Sequence, residues 1–203
     1  MLTLSQQAEL HALPLWEGLG ANTRVLLTPY QIDFAIRVGN KRQDTAEALR
    51  LQNNNYLPID RKRDRLMHIV GALCEMAAVV YFGPIHWNWR IFGITDKPDL
   101  SDWIEIKGRE RDRQDGWLIV PPKKGLDWRL PPRERAPPSH WAYVLVEGCR
   151  HPFYEIVGWR WGHEFLDDDH WNEVELRRRP AWVAKPPFRA PIDLLKEVRL
   201  REP

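Results

Sequence analysis

The hydrophobic pattern is strongest between Arg61 and Phe82. In RKRDRLMHIVGALCEMAAVVYF nearly every position after Arg65 is apolar, the run is too long for a strand, and Gly83-Pro84 stops it. A helix buried on most of its surface is predicted over 61–82. Two polar positions interrupt it. His68 and Glu75 lie seven residues apart and so share a face, with Gly71 and Ala72 on the same stripe. A buried carboxylate needs compensation. An arginine such as Arg90 or Arg109 could supply it, and so could a bound cation, since the small neighbours would let a metal-bearing strand approach closely.

Alternation of period two marks the strands. WIEIK, 103–107, puts Trp103, Glu105 and Lys107 on one face and Ile104 and Ile106 on the other. Asp115-Gly116 reads as a turn that folds WIEIK back on WLIVP, 117–121, as an antiparallel pair. HWAYVLVEG, 140–148, and HPFYEIVGWRWG, 151–162, form a second hairpin across Gly148-Cys149-Arg150. The segment IHWNWRIFGITDKP, 85–98, is expected to hold the strand that delivers Asp99.

The N-terminal pattern is weaker. Residues 3–20 read as a short helix with Ser5 as its cap and Pro14 limiting its continuity. RVLLT is strand-like, YQIDFAIRV fits a strand or a short helix, and QDTAEALRL, 43–51, is a helix ended by Asn53-Asn54-Asn55. From Asp167 the chain is rich in proline and charge, with 192–200 a short terminal helix or strand. No internal repeat is visible. The expected architecture is α/β, a central mixed sheet of about five strands flanked by helices. Residues 1–60 form an N-terminal helical appendage, 61–165 the core, and 166–203 a peripheral segment.

Composition adds little to the picture until its distribution is read. The 203 residues, 43% of them hydrophobic, suffice for one domain with a real core. Eleven tryptophans against three methionines imply rigid packing units, most of them in the core. The net charge of +2 does not announce a polyanion partner. Locally, however, 107–135 carries nine bases and five acids, whereas 163–175 carries six acids and no lysine or arginine. The first block suits phosphates and the second a solvated loop. Residues 121–138 hold six prolines and five bases and form neither helix nor strand. They read either as a stiff basic flap, with Trp128 stacking on a base, or as a solvated connector. Cys74 and Cys149 lie in apolar surroundings without metal-ligand spacing, as expected of buried thiols in a reducing compartment. Neither a secretion signal nor a membrane span is read from the sequence, so the expected location is cytoplasmic.

The chemistry concentrates at 94–109, ITDKPDLSDWIEIKGR. Asp99, Glu105 and Lys107 offer two carboxylates and one ammonium to a common point, the set needed to hold a magnesium ion and activate a water. Asp96 and Asp102 compete for the place of Asp99. Alternation would point Asp102 to the other face if the strand already begins there, which ranks Asp99 first. Pro98-Asp99 followed by Glu105-Ile106-Lys107 resembles the signature of the PD-(D/E)XK nuclease superfamily. GALCEMAAVVYFG is similar to the helix that carries a glutamate ahead of the aspartate strand in many members. YVLVEG and YEIVGW resemble the closing strands of uncharacterised phage-type members.

The resemblance implies a restriction-endonuclease-like core and metal-dependent hydrolysis of DNA. It implies Asp99 and Glu105 as ligands of Mg2+ or Mn2+, Lys107 as the residue that polarises the attacking water, and Glu75 as an outer or second-metal contact. Arg109, Arg111, Arg113, Lys123 and Lys124 would meet the DNA backbone, and a homodimer would suit cutting of both strands. The setting would be a bacterial or phage-infected cell. A catalytically inactive module binding nucleic acid or a protein is the alternative, since fold alone does not secure activity. In a structural or assembly protein with a tryptophan-rich surface, the same four residues would be ordinary ion pairs.

Other constellations are incomplete. His163-Glu164 begins like HExxH, but Asp167 stands where the second histidine belongs. His163, Asp167 and His170 could still form a metal site rather than a solvated acidic turn. There is no GxxxxGK[ST], no GxSxG, and no histidine near a plausible catalytic cysteine.

Overall fold

A computed structural model describes residues 23–48, 61–83, 85–89, 97–110, 118–120, 138–150, 152–165, 171–172, 181–184, 188–189 and 191–201. In chain order the elements are β1 (Arg24–Leu26), α1 (Pro29–Ala48), α2 (Arg61–Phe82), β2 (Ile104–Glu110), β3 (Leu118–Val120), β4 (Ala142–Arg150), β5 (Phe153–Trp161), a 3-10 turn (Gly162–Phe165), β6 (Trp171–Asn172), β7 (Ala181–Ala184) and α3 (Pro191–Arg201).

Residues 29–48, read from the sequence as an ambiguous piece followed by a separate helix, form one continuous helix. Its start explains why. Thr28 and Gln31 make a reciprocal cap: Gln31 Oε1 accepts from Thr28 N at 2.8 Å, and Thr28 Oγ1 accepts from Gln31 N at 3.3 Å. Pro29, which has no N–H to leave unpaired, occupies the first helical position. From there Gln31, Phe34, Ala35, Val38, Gly39, Arg42, Gln43 and Ala46 are buried at helical spacing against α2. α2 has the expected bounds and ends at Gly83, whose φ of 86° is the left-handed cap and whose N–H donates to Val79 O at 3.0 Å.

The central mixed sheet has four strands rather than the expected five or so, because β3 belongs to a second sheet; it runs β1-β5-β4-β2. β5 is antiparallel to β1 and to β4, so the expected 140–162 hairpin is present. β2 lies parallel to β4, with Glu105 opposite Tyr143 and Lys107 opposite Leu145. This corrects the expected pairing of WIEIK with WLIVP: β3 pairs antiparallel with β7 in a separate three-stranded sheet, β3-β7-β6. Burial supplies the reason. β4 is buried from Ala142 to Glu147 and so needs cover on both faces. Ile104 and Ile106 join Ala142, Val144 and Val146 in the main core against α1 and α2. Leu118, Val120, Tyr143, Leu145 and Phe165 form a second core on the opposite face.

The N-terminal and C-terminal pieces are more central than expected. β1 closes the sheet beside β5, α1 packs along α2, and Leu194 and Val198 of α3 are buried in the main core.

Candidate active site

The site is built at the outer edge of β2. Leu100 and Ile104 exchange backbone hydrogen bonds at 2.9 and 3.1 Å, closing a tight turn in which Ser101 takes a left-handed φ of 50°. In an antiparallel ladder the next hydrogen-bonded pair would be residues 98 and 106. Residue 98 is proline and cannot donate, and its carbonyl is taken by Asn88 Nδ2 at 2.9 Å. The Ile106 N–H is answered instead by the Asp99 carboxylate, Oδ2 at 2.9 Å. Asp99 therefore stands across the turn from Glu105, and Lys107 follows two residues along the same face of β2. Lys107 Nζ donates to Glu105 Oε1 at 2.5 Å. Among the described residues, neither Asp99 Oδ1 nor Glu105 Oε2 accepts a hydrogen bond.

Glu75 approaches from α2, on the face of the sheet that Ile104 and Ile106 occupy. Both of its oxygens are engaged. Arg42 clamps it with Nη1 at 2.5 Å and Nη2 at 2.7 Å, and Trp87 Nε1 donates to Oε2 at 2.7 Å. The compensating arginine is thus Arg42, not Arg109. Arg109 pairs with Glu147, its neighbour across β4, through Nε at 2.7 Å. A partly buried guanidinium beside a buried carboxylate gains from such a counter-charge, and the pair ties Arg109 to β4. Arg90 lies outside the described residues.

Electrostatics tie the groups together. Burial, then Glu105 and Glu75, push the Asp99 carboxyl well above the usual carboxylate range, and Lys107 and Arg42 oppose this only in part. Burial would lower Lys107, but Glu105 and Asp99 outweigh it and hold the ammonium above its ordinary value. Arg42 is likewise raised: burial acts against it, and Glu75, Asp99 and Glu105 act for it. Tyr143, opposite Glu105, is raised by burial and then by that carboxylate.

Comparison with protein-family models, curated proteins and solved structures found no match.

The arrangement can hold charge and move it. The two carboxylates facing each other across the turn suit a hard cation that keeps several waters, as magnesium does. Among the described residues no group of three histidine, cysteine, aspartate or glutamate side chains is placed to hold a metal. Asp99 and Glu105 fit as a pair, whereas the oxygens of Glu75 are committed to Arg42 and Trp87.

The remaining sequence candidates fall elsewhere. Asp102 is exposed on the turn before β2, and His163 is exposed with Nδ1 3.3 Å from Ser139 O. His68 is partly buried on α2, and Cys74 is fully buried, Sγ 3.7 Å from Val146 O. Asp96, Arg111, Arg113, Lys123, Lys124, Trp128, Asp167 and His170 lie outside the described residues. Sequence reasoning missed Arg42, Trp87, Asn88 and Tyr143. For Arg42 a signal existed: once Thr28-Pro-Tyr-Gln31 is seen as a helix start, positions 31, 35, 38 and 42 fall on one buried face, and a buried arginine asks for a buried acid.

Proposed function

We propose that this protein is a metal-dependent nuclease of the PD-(D/E)XK type that hydrolyses phosphodiester bonds of DNA, with its four-stranded sheet as a restriction-endonuclease-like core. One observation carries the reading: Asp99 and Glu105 face each other across the Leu100–Ile104 turn, with Lys107 bonded to Glu105 beside them. Two crowded carboxylates, one of them pushed toward its protonated form, are a site that a divalent cation would relieve.

Asp99 and Glu105 would hold Mg2+ or Mn2+. The bound ion would supply a water of lowered pKa and neutralise charge growing on the phosphate. Lys107 stays an ammonium, so its part is to orient the water and offset negative charge rather than to act as a base. The water oxygen would bond to phosphorus as the bond to the leaving oxygen breaks, the water losing a proton to solvent and the leaving oxygen taking one up from it. Glu75 serves indirectly, fixing Arg42 as a buried positive charge near both carboxylates.

A rival reading also has an observation behind it. The bond from Asp99 to the Ile106 N–H is a structural duty, and a nucleic-acid-binding module without catalysis could retain Asp99 for that alone. Incubation of linear, circular and single-stranded DNA with Mg2+ or Mn2+, comparing wild type with Lys107→Ala and Glu105→Ala, separates the two. Metal-dependent cutting lost in both variants supports the nuclease. DNA binding without cutting by folded wild type leaves the binding module.

A further inference from the structure

The carboxylate of Asp99 has no helix or long strand to hold it. It sits on a short turn, beyond a proline and before a residue with left-handed backbone, where an unsupported chain would sample many conformations. What holds it is the short segment after α2, and within that segment one residue makes most of the hydrogen bonds, His86 O accepting one more from Ser101 N at 2.6 Å. Asn88 Nδ2 donates to Pro98 O at 2.9 Å and to Ser101 O at 2.5 Å, and the Asn88 backbone N–H donates to Asp99 O at 2.8 Å. Three bonds from one residue therefore bracket Asp99 on both sides and at its own carbonyl. Trp87, bridged to Leu100 and anchored by its indole to Glu75, keeps Asn88 from moving away.

We propose that Asn88 is the positioning residue of this site: by pinning residues 98, 99 and 101 it aims the Asp99 carboxylate at the point it shares with Glu105. This rests on the cation reading above. The chemistry requires an amide. Both partners of Nδ2 are carbonyl oxygens, so only a donor works there, and the two hydrogens of the NH2 group match the two acceptors. Asparagine and aspartate have nearly the same shape, yet aspartate would set a carboxylate against two carbonyls. Asn88→Asp thus inverts polarity with little change in volume.

The test is Mn2+ binding to the full chain, followed by electron paramagnetic resonance, for wild type, Asn88→Asp and Asp99→Ala, at a temperature where circular dichroism shows all three folded. The expected result is Mn2+ affinity weakened roughly 10–100-fold in Asn88→Asp, the range for loss of a group that orients a ligand. In DNA cleavage the Mn2+ concentration for half-maximal rate should rise similarly, with the rate at saturating Mn2+ within about threefold of wild type. A residue important only for stability would lower the melting temperature and leave both metal readouts unchanged. Mn2+ binding by wild type that Asn88→Asp leaves intact overturns the role of Asn88 alone. No Mn2+ binding by wild type overturns the cation site and this role with it. Should Asn88→Asp fail to fold, Asn88→Ala removes the donors without adding charge, and the same two outcomes decide.

Discussion

Replacing Glu75 by alanine probes a buried charge that accepts three hydrogen bonds. Glu75 and Arg42 are a buried pair, 7% and 10% exposed at the side chain, and Trp87 Nε1 supplies the third hydrogen bond. Removal leaves the guanidinium without its two acceptors, and among the described residues Arg42 Nε has no partner to begin with. Breaking a buried pair by deleting one partner costs about 3–5 kcal/mol, because the charge left behind is uncompensated. The orphaned indole N–H pushes the sum toward the upper end of that range. At about 2–4 °C per kcal/mol for a chain of this size, a cost of about 4–5 kcal/mol should lower the melting temperature by roughly 8–20 °C.

Calorimetry or circular dichroism on wild type, Glu75→Ala, Arg42→Met and the double variant Arg42→Met/Glu75→Ala would measure it. The double variant should be more stable than Glu75→Ala, since removing both charges removes the desolvation problem, and the cycle should show coupling of at least about 2 kcal/mol. The contrary result is specific. A Glu75→Ala protein that melts within about 2 °C of wild type and has lost Mn2+ binding would make Glu75 a metal ligand and the Arg42 clamp incidental.

Asp99 gives a pH signature. Its folded-state carboxyl is raised, so the folded protein keeps a proton that the unfolded chain has already lost. This contribution to stability is present below the ordinary carboxylate pKa and declines as pH rises, until Asp99 ionises in the folded state too. Urea midpoints from about pH 3 to about pH 8 should show a fall in wild type, relative to Asp99→Asn, across that window; parallel curves would refute the raised value. At the crossing of α1 and α2, a Cβ on Gly39 would sit 2.5 Å from the Ile69 backbone Cα. Gly39→Ala should therefore destabilise by about 3 kcal/mol, the top of the overpacking range, and an unchanged urea midpoint would mean that the helices are not so closely apposed. Arg109→Ala should lower stability by about 3 kcal/mol through loss of the Glu147 pair. A variant that melts like wild type but binds DNA less well would return Arg109 to the nucleic-acid interface.

What the letters alone settled is local. α2 was legible because its apolar run, its length and its Gly83-Pro84 stop all act within one element. The β4–β5 hairpin was legible because both strands and their turn are contiguous. The grouping of Asp99, Glu105 and Lys107 follows from alternation and one tight turn within nine positions, where backbone geometry leaves few choices. α1 departs from its pattern reading for a local reason as well: the Thr28–Gln31 capping box starts the helix early and sets the register that places Arg42 inside.

The tertiary structure alone decided which distant pieces meet. β2 chose β4 over β3 because β4 needs cover on both faces, and a parallel partner with Ile104 and Ile106 on one side lets α2 close the main core while β3 joins the second. Glu75 chose Arg42, 33 positions away, and Arg109 chose Glu147, because each buried charge takes the opposite charge that the packing brings within reach. Periodicity tells a residue which face it occupies; the neighbour it finds there depends on how whole elements compete for burial. The identity of the acids was written in the sequence, and their division into a carboxylate pair at the strand edge and an arginine-clamped glutamate behind it was made by the fold.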